Sequence, residues 1–244
     1  MVALTIDGRE LQVEEEEEVT LLDVARENNI YIPTLCTNEA VASYGACRLC
    51  MVEITTARGR EKMVASCLYP AEARLVVRTD SERIARVRRM VIELLLSRCP
   101  DSEVIQDMAR QLGVDEPRFA LEEDNKKCIL CALCARACQE VVGVSAISLV
   151  NRGVDGQLAT PFYEPSEACI GCGSCAYICP TNAIVMEDIS DKRLLKWPYS
   201  QMEFEQARCK VCGNYFAPKR QLEHIAKISG TSLAEYDICF DCRE

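Results

Sequence analysis

Cys128, Cys131, Cys134 and Cys138 follow one another as C-x2-C-x2-C-x3-C. Cys169, Cys172, Cys175 and Cys179 repeat that spacing 41 positions later, with Pro180 behind the last. Three thiolates in so tight a run can grip three corners of one cubane iron–sulfur cluster. The fourth, on a short turn beyond, points at the cluster of the other run. The spacing therefore assigns Cys128, Cys131, Cys134 and Cys179 to one [4Fe–4S] cluster, and Cys138, Cys169, Cys172 and Cys175 to a second. The chemistry on offer is one-electron transfer.

Sixteen of the 17 cysteines fall into groups of four. Cys36, Cys47, Cys50 and Cys67 are spaced C-x10-C-x2-C-x16-C, and four thiolates, two per iron, are what a [2Fe–2S] cluster needs. Gly45 and Ala46 let the backbone pass close to inorganic sulfide, where amide N–H groups stabilise the cluster's negative charge. Cys209-x2-Cys212 and Cys239-x2-Cys242 are two knuckles with 26 residues between them. Facing each other they make a tetrahedral four-thiolate site for zinc, and rubredoxin-like iron takes the same ligands. Such a metal would fold a tail too small to bury enough surface alone. His224 between the knuckles reads as a packed or surface side chain, because the four thiolates already complete the site. The cysteine left over is Cys99.

Composition narrows the class. The chain has 244 residues, is 49% hydrophobic with its cysteines counted, and has 6% aromatics, so several metal-stapled modules are expected in place of one large core. Pairs spaced C-x2-C suit metals better than disulfides. The opening Met1-Val2-Ala3-Leu4-Thr5-Ile6-Asp7-Gly8 has neither the basic nor the apolar region of a secretory signal. A reducing compartment, most simply a cytoplasm, follows as the expectation. A net charge of −10 argues against nucleic-acid binding, and a single histidine against histidine-based acid–base catalysis. No apolar run approaches the roughly 20 residues of a membrane span; Val91–Leu96 is interrupted by Glu93. No G-x-G-x-x-G or Walker motif is present, so NAD or flavin is expected on a partner.

The elements that must position these thiolates can be read coarsely. Val2–Ile6 and Leu11–Glu15 alternate as strands around Asp7-Gly8, a strong hairpin signal. Thr20, with Asp23 three positions on, caps a helix through Asn28. Met51–Ile54, Met63–Ser66 and Leu75–Arg78 read as further strands. Ser81–Arg98 has helical period, with Ile84, Val87, Val91, Leu94 and Leu95 as its apolar stripe and Arg83, Arg86, Arg88 and Arg89 on a solvated face. Glu14–Glu18 reads as a solvated strand end. Lys126-Lys127 leads into the first cysteine run. Each half of the repeat should be a loop, a short helix and a strand, with Val144–Val150 as the first strand. Gly171 and Gly173 permit close backbone approach, and Pro180 stops the second helix. Gln139 stands where the first half would be expected to repeat that proline. Asp188–Gln206 reads as a polar connector and Ala217–Ile228 as a helix.

The long first cysteine gap, with Tyr44-Gly45-Ala46-Cys47-Arg48-Leu49-Cys50-Met51-Val52-Glu53, resembles the N-terminal domain of the complex I iron–sulfur subunit and its relatives. Those relatives are the small diaphorase subunit of NAD-linked hydrogenases, the N-terminal part of [FeFe] hydrogenases, and NAD-dependent formate dehydrogenases. The resemblance covers about residues 1–190. It implies an α+β chain: a β-grasp [2Fe–2S] ferredoxin domain at 1–79, a helical linker at 80–123, a bacterial-type 2[4Fe–4S] ferredoxin domain at 124–190, and a connector with a zinc-ribbon-like tail at 191–244. In the family the long helix leads into a histidine and three cysteines that bind another [4Fe–4S] cluster. Here Cys99 stands at the histidine's place and the three cysteines are absent, so that cluster is expected to be deleted and Cys99 to be a packed thiol. The resemblance further implies a flavin- and NAD(P)-binding diaphorase partner and a hydrogenase or formate dehydrogenase catalytic partner, with this chain as a relay that has no active site of its own. Deletion of the middle cluster would suit rerouted wiring, such as an electron-bifurcating assembly. The other readings are a free-standing polyferredoxin-type carrier and an iron–sulfur redox sensor with a docking tail.

Overall fold

The computed structural model describes residues 1–14, 19–123 and 127–243. Most of the acidic run Glu14–Glu18, and Lys126, lie outside the described residues. The chain divides into two compact units, Met1–Cys131 and Ala132–Glu244.

In the first unit, β1 (Val2–Ile6) and β2 (Arg9–Val13) are joined by Asp7-Gly8. Both turn residues have positive φ, 49° and 79°, which is the backbone a two-residue hairpin needs to match strand twist. Helix α1 (Leu21–Glu27) starts at a capping box: Thr20 Oγ1 accepts from Asp23 N at 3.3 Å and the Asp23 carboxylate accepts from Thr20 N at 3.0 Å. It lays Leu21, Leu22, Val24 and Ala25 on the alternate inward residues Leu4, Ile6, Val52, Ile54 and Val77. Strands β3 (Met51–Thr55), β4 (Glu61–Ala65) and β5 (Val76–Arg78) complete a five-stranded sheet in the order β2-β1-β5-β3-β4, with β1 and β5 parallel. Asp7 locks its far end by accepting from Thr79 N at 2.8 Å and Thr79 Oγ1 at 2.6 Å. This is the β-grasp arrangement.

Helix α2 (Glu82–Arg98) is capped by Ser81, whose Oγ accepts from Ile84 N at 3.1 Å. Its buried face corrects the sequence reading: it is Ile84, Arg88, Ile92 and Leu96, with Glu93 and Ser97, while Leu94 is half exposed. Arg83, Arg86 and Arg89 are exposed as expected, but Arg88 is inside. The apolar count fails because two inward positions carry charges that have partners; Glu93, for example, accepts from Arg118 Nε at 2.8 Å. A short turn, Cys99–Ser102, leads to α3 (Glu103–Gln111), which packs on α2.

In the second unit, α4 (Leu133–Arg136) runs directly into a single π turn, Ala137–Val141. In the other half α5 (Ser174–Tyr177) stops before Pro180. The missing proline at Gln139 explains the difference, because nothing there prevents the helix from continuing. The expected strand over Val144–Val150 is confined to β6 (Ser148–Val150), paired with β7 (Gln157–Ala159). The segment read as a polar connector is instead the middle of a four-stranded antiparallel sheet: β8 (Val185–Ile189), β9 (Lys192–Trp197), β10 (Ser200–Arg208) and β11 (Tyr215–Pro218). In β9 the inward positions are Arg193, Leu195 and Trp197, so the strand alternates, but one inward residue is charged. Helix α6 (Lys219–Ser229) begins two residues later than the composition suggests, since Ala217 and Pro218 belong to β11. Among the described residues no helix is long and apolar enough to cross a membrane.

Candidate metal centres

Cys36, Cys47, Cys50 and Cys67 come from three places in the β-grasp unit: the loop after α1, the turn entering β3 and the residues leaving β4. All four are buried, Cys50 and Cys67 with sulfurs 3.3 Å apart. Gly45 (φ 69°) and Arg48 (φ 57°) bend the loop so that amides turn inward. Cys47 N donates to Cys36 Sγ at 3.4 Å, and the Leu49 and Leu35 amides face the Cys47 sulfur. A Cβ at Gly45 would meet the end of the Leu68 side chain, and the positive φ there favours glycine in any case. The Cys47 thiol and then the Cys67 thiol donate toward Cys36 and hold it near 2, while Cys67 is the leading donor that lowers Cys50 to about 6. Those same bonds push Cys47 and Cys67 up. Such a donor set fits a [2Fe–2S] group, whose iron would make all four thiolates favourable at once.

In the second unit Cys138, Cys169, Cys172 and Cys175 line one pocket, together with Gly173, Leu195 and Trp197. Cys138 comes from the first cysteine run and the other three from the second, which is the mixture that cross-ligation requires. Burial pushes Cys169 up to about 11 and Cys175 to about 12, the latter opposed by the indole of Trp197. The buried Trp197 Nε1 is directed toward Cys175 but makes no hydrogen bond of normal geometry among the described residues. A buried donor beside four sulfurs is satisfied by a sulfur-rich anion, so the pocket fits a [4Fe–4S] group. Arg193 anchors the loop: its Nη1 donates to Gly171 O at 3.2 Å. A Cβ on Gly171 would meet the Phe204 ring at 2.7 Å, and one on Gly173 would strike Met186.

The repeat extends to backbone angles. Leu130 (φ 52°) and Ala132 (φ 61°) adopt the left-handed conformation that Gly171 (72°) and Gly173 (79°) adopt in the second run. The first run does so without glycine, at roughly 1–2 kcal/mol per residue. Each fourth cysteine accepts an amide at 3.2 Å, Cys138 from Ala146 and Cys179 from Ala183. The acceptor-to-donor offset is eight residues in the first half and four in the second, and the π turn absorbs the difference. Of the remaining ligand set, Cys128 and Cys131 belong to the first unit and Cys134 and Cys179 to the second. Cys131 and Cys134 are buried, and Cys128 O accepts from Arg98 Nε at 3.0 Å.

The sulfurs of Cys209, Cys212, Cys239 and Cys242 all lie within 4.8 Å of one another. β10 delivers the first knuckle, and a tight turn at Gly213 (φ 77°) closes it, with Arg208 Nε donating to Gly213 O at 2.7 Å. Cys239 N donates to Cys209 Sγ at 3.3 Å and is the first of the amides that hold Cys209 near 6. The neighbouring Cys239 thiol pushes Cys242 up to about 12. His224 sits half-buried on α6 and is not part of the group. Cys99 is fully buried at the C-cap of α2.

Comparison with known proteins agrees with this geometry. Residues 1–82 match the 2Fe-2S iron-sulfur cluster binding domain, and residues 168–214 match the 4Fe-4S dicluster domain, a span that holds the second cysteine run and the first knuckle. The NADPH-Fe(3+) oxidoreductase subunit alpha of Geobacter sulfurreducens is 34% identical over 208 residues, covering 76% of this chain and 24% of that protein. The NADP-reducing hydrogenase subunit HndD of Solidesulfovibrio fructosivorans is 34% identical over 216 residues, 76% of this chain and 36% of that one. The mitochondrial NADH-ubiquinone oxidoreductase 78 kDa subunit of Candida albicans is 28% identical over 208 residues, 75% and 28%. The chain thus spans about a quarter to a third of the length of these relatives. A crystal structure of NAD+-reducing [NiFe]-hydrogenase in the H2-reduced state superposes with a TM-score of 0.61 at 27% identity, over 74% of this chain and 85% of that one. With a 2Fe-2S cluster binding domain ahead of a 4Fe-4S dicluster domain, this chain is a homologue of the NAD(P)-linked oxidoreductase and hydrogenase subunits that it matches.

Proposed function

We propose that the chain is the iron–sulfur electron-relay subunit of a multi-subunit NAD(P)-linked oxidoreductase. It holds one [2Fe–2S] cluster on Cys36, Cys47, Cys50 and Cys67, and two [4Fe–4S] clusters, one on Cys128, Cys131, Cys134 and Cys179 and the other on Cys138, Cys169, Cys172 and Cys175. Zinc on Cys209, Cys212, Cys239 and Cys242 folds the tail, which serves docking. Single electrons pass between a flavoprotein partner that handles NAD(P)H and a hydrogenase or formate dehydrogenase catalytic subunit. The observation that supports this most is the joining of Cys138 with Cys169, Cys172 and Cys175 around one pocket, because interlocked ligand runs hold two clusters close enough to exchange electrons.

Anaerobic purification from the native host tests it. Metal and acid-labile sulfide analysis should give about ten irons, about ten sulfides and one zinc per chain, with a flavoprotein and a catalytic subunit co-purifying. About fourteen irons without zinc would reveal a further cubane cluster, and a chain that runs alone would favour the free-standing carrier.

A further inference from the structure

Arginine side chains donate to backbone carbonyls in the cysteine loops read as iron–sulfur sites. Arg98 reaches Cys128 O, and Arg193 reaches Gly171 O. Arg88 reaches two: its Nε donates to Leu49 O at 3.1 Å and its Nη2 to Met51 O at 2.9 Å, the carbonyls on either side of Cys50. Arg88 differs from Arg193 in charge balance. Arg193 is held by both oxygens of Asp188, so its charge is met within the protein. Arg88 is 8% exposed, and among the described residues it makes no ion pair. Arginine cannot shed its proton to escape burial. Two neutral carbonyls satisfy its donors, and the anionic groups that act on its buried charge do so without pairing with it: Asp80 first, then Cys50, with Asp7 weaker. Cys50 is thus among the anionic neighbours of Arg88, and the four thiolates of Cys36, Cys47, Cys50 and Cys67 with their metal group would place further negative charge on that side.

We propose that Arg88 sets the reduction potential of the [2Fe–2S] site. The inference rests on the reading of those four cysteines as its ligands. On reduction, one electron enters, one ferric iron becomes ferrous, no bond forms or breaks, and the site gains one negative charge. A fixed buried cation stabilises the more negative state and raises the potential. The forked contact also holds Cys50 in place through the carbonyls beside it, so Arg88 acts on the site both as a charge and as an anchor. The two roles separate by substitution. Arg88→Lys keeps the charge and loses the fork, whereas Arg88→Gln keeps a donor and loses the charge.

The test is a redox titration of the full-length protein with dithionite as reductant, following the [2Fe–2S] electron paramagnetic resonance signal, with the [4Fe–4S] signals as internal controls. In Arg88→Gln the ratio of reduced to oxidised [2Fe–2S] at a fixed potential should fall about tenfold, a shift of about 59 mV for one electron. Arg88→Lys should stay within about threefold of wild type, and the other clusters should not move. A Gln variant that titrates like wild type overturns the proposal. If Arg88→Gln loses the cluster while Arg88→Lys keeps it, the charge is again what matters. If both lose it, Arg88 is an anchor only and the proposal fails. Absence of a [2Fe–2S] signal in the wild-type protein would instead sink the ligand reading on which all of this depends.

Discussion

Arg193 on β9 and Asp188 on β8 form a two-pronged ion pair, Nε to Oδ1 at 2.7 Å and Nη2 to Oδ2 at 2.8 Å. The remaining arm of the guanidinium carries Gly171 O. One side chain thus ties the edge of the sheet to the loop between Cys169 and Cys172. The bonds from Arg193 hold the Asp188 carboxyl below its ordinary range.

Removing Arg193 should cost more than removing Asp188. Arg193→Met leaves Gly171 O without its donor and the Asp188 carboxylate without its partner, for a loss of about 2 kcal/mol. Asp188 is half exposed, so Asp188→Asn should cost under about 1 kcal/mol. Thermal melts followed by circular dichroism and by bleaching of cluster absorbance would rank the two; equal losses would show that Gly171 O is dispensable.

Trp197 is the chain's one tryptophan, so its emission reports on a single pocket. Its buried Nε1 is directed toward Cys175 without a hydrogen bond of normal geometry among the described residues. In the loaded protein the indole should donate to cluster sulfur, and its emission should be quenched. Oxidative removal of the clusters should restore the emission severalfold. Trp197→Phe keeps the packing but loses the donor, and it should lower the potential of the Cys169-group cluster alone. Emission indifferent to cluster removal would place the ring away from any cluster.

Most of the fold was legible because local chemistry and tertiary packing agree. Asp7-Gly8 and the Thr20–Asp23 box each act over a few residues, and the structure uses both as the sequence implies. What escaped were inward-facing charges. Arg88 on α2 and Arg193 on β9 occupy core positions, so a pattern that counts apolar residues rotated one helical face and dissolved one strand into a connector. Their burial is possible because loop carbonyls await them, and those carbonyls are placed by residues some 40 and 20 positions away. The signal that could have been used is the period: Arg88 lies between Ile84 and Ile92 at four-residue steps, and Arg193, Leu195 and Trp197 alternate.

Exchange of ligands between the two runs makes a spectroscopic prediction. Cys179→Ser should damage the cluster of Cys128, Cys131 and Cys134, and leave intact the one in the pocket of Cys138, Cys169, Cys172 and Cys175. Cys138→Ser should do the reverse. Signal loss from the Cys169 group in the Cys179 variant would mean that each run ligates its own cluster.

Cys99 tests whether the middle cluster is gone. It is fully buried where α2 ends, its N–H donating to Leu95 O at 2.8 Å and its carbonyl accepting from Ser102 N at 3.1 Å. Those bonds belong to the backbone and survive substitution. One thiolate cannot hold a cubane cluster, and no further cysteine follows before Cys128. Cys99→Ala should therefore keep the full iron content and every cluster signal, at a cost of about 1–2 kcal/mol for the lost sulfur contacts. Cys47→Ala, by contrast, should lose the [2Fe–2S] signal. Iron analysis of Cys99→Ala, as the isolated chain and in its native assembly, decides the matter. Iron lost only in the assembly would reveal a cluster shared with a partner subunit, and iron lost in the isolated chain would overturn the deletion outright.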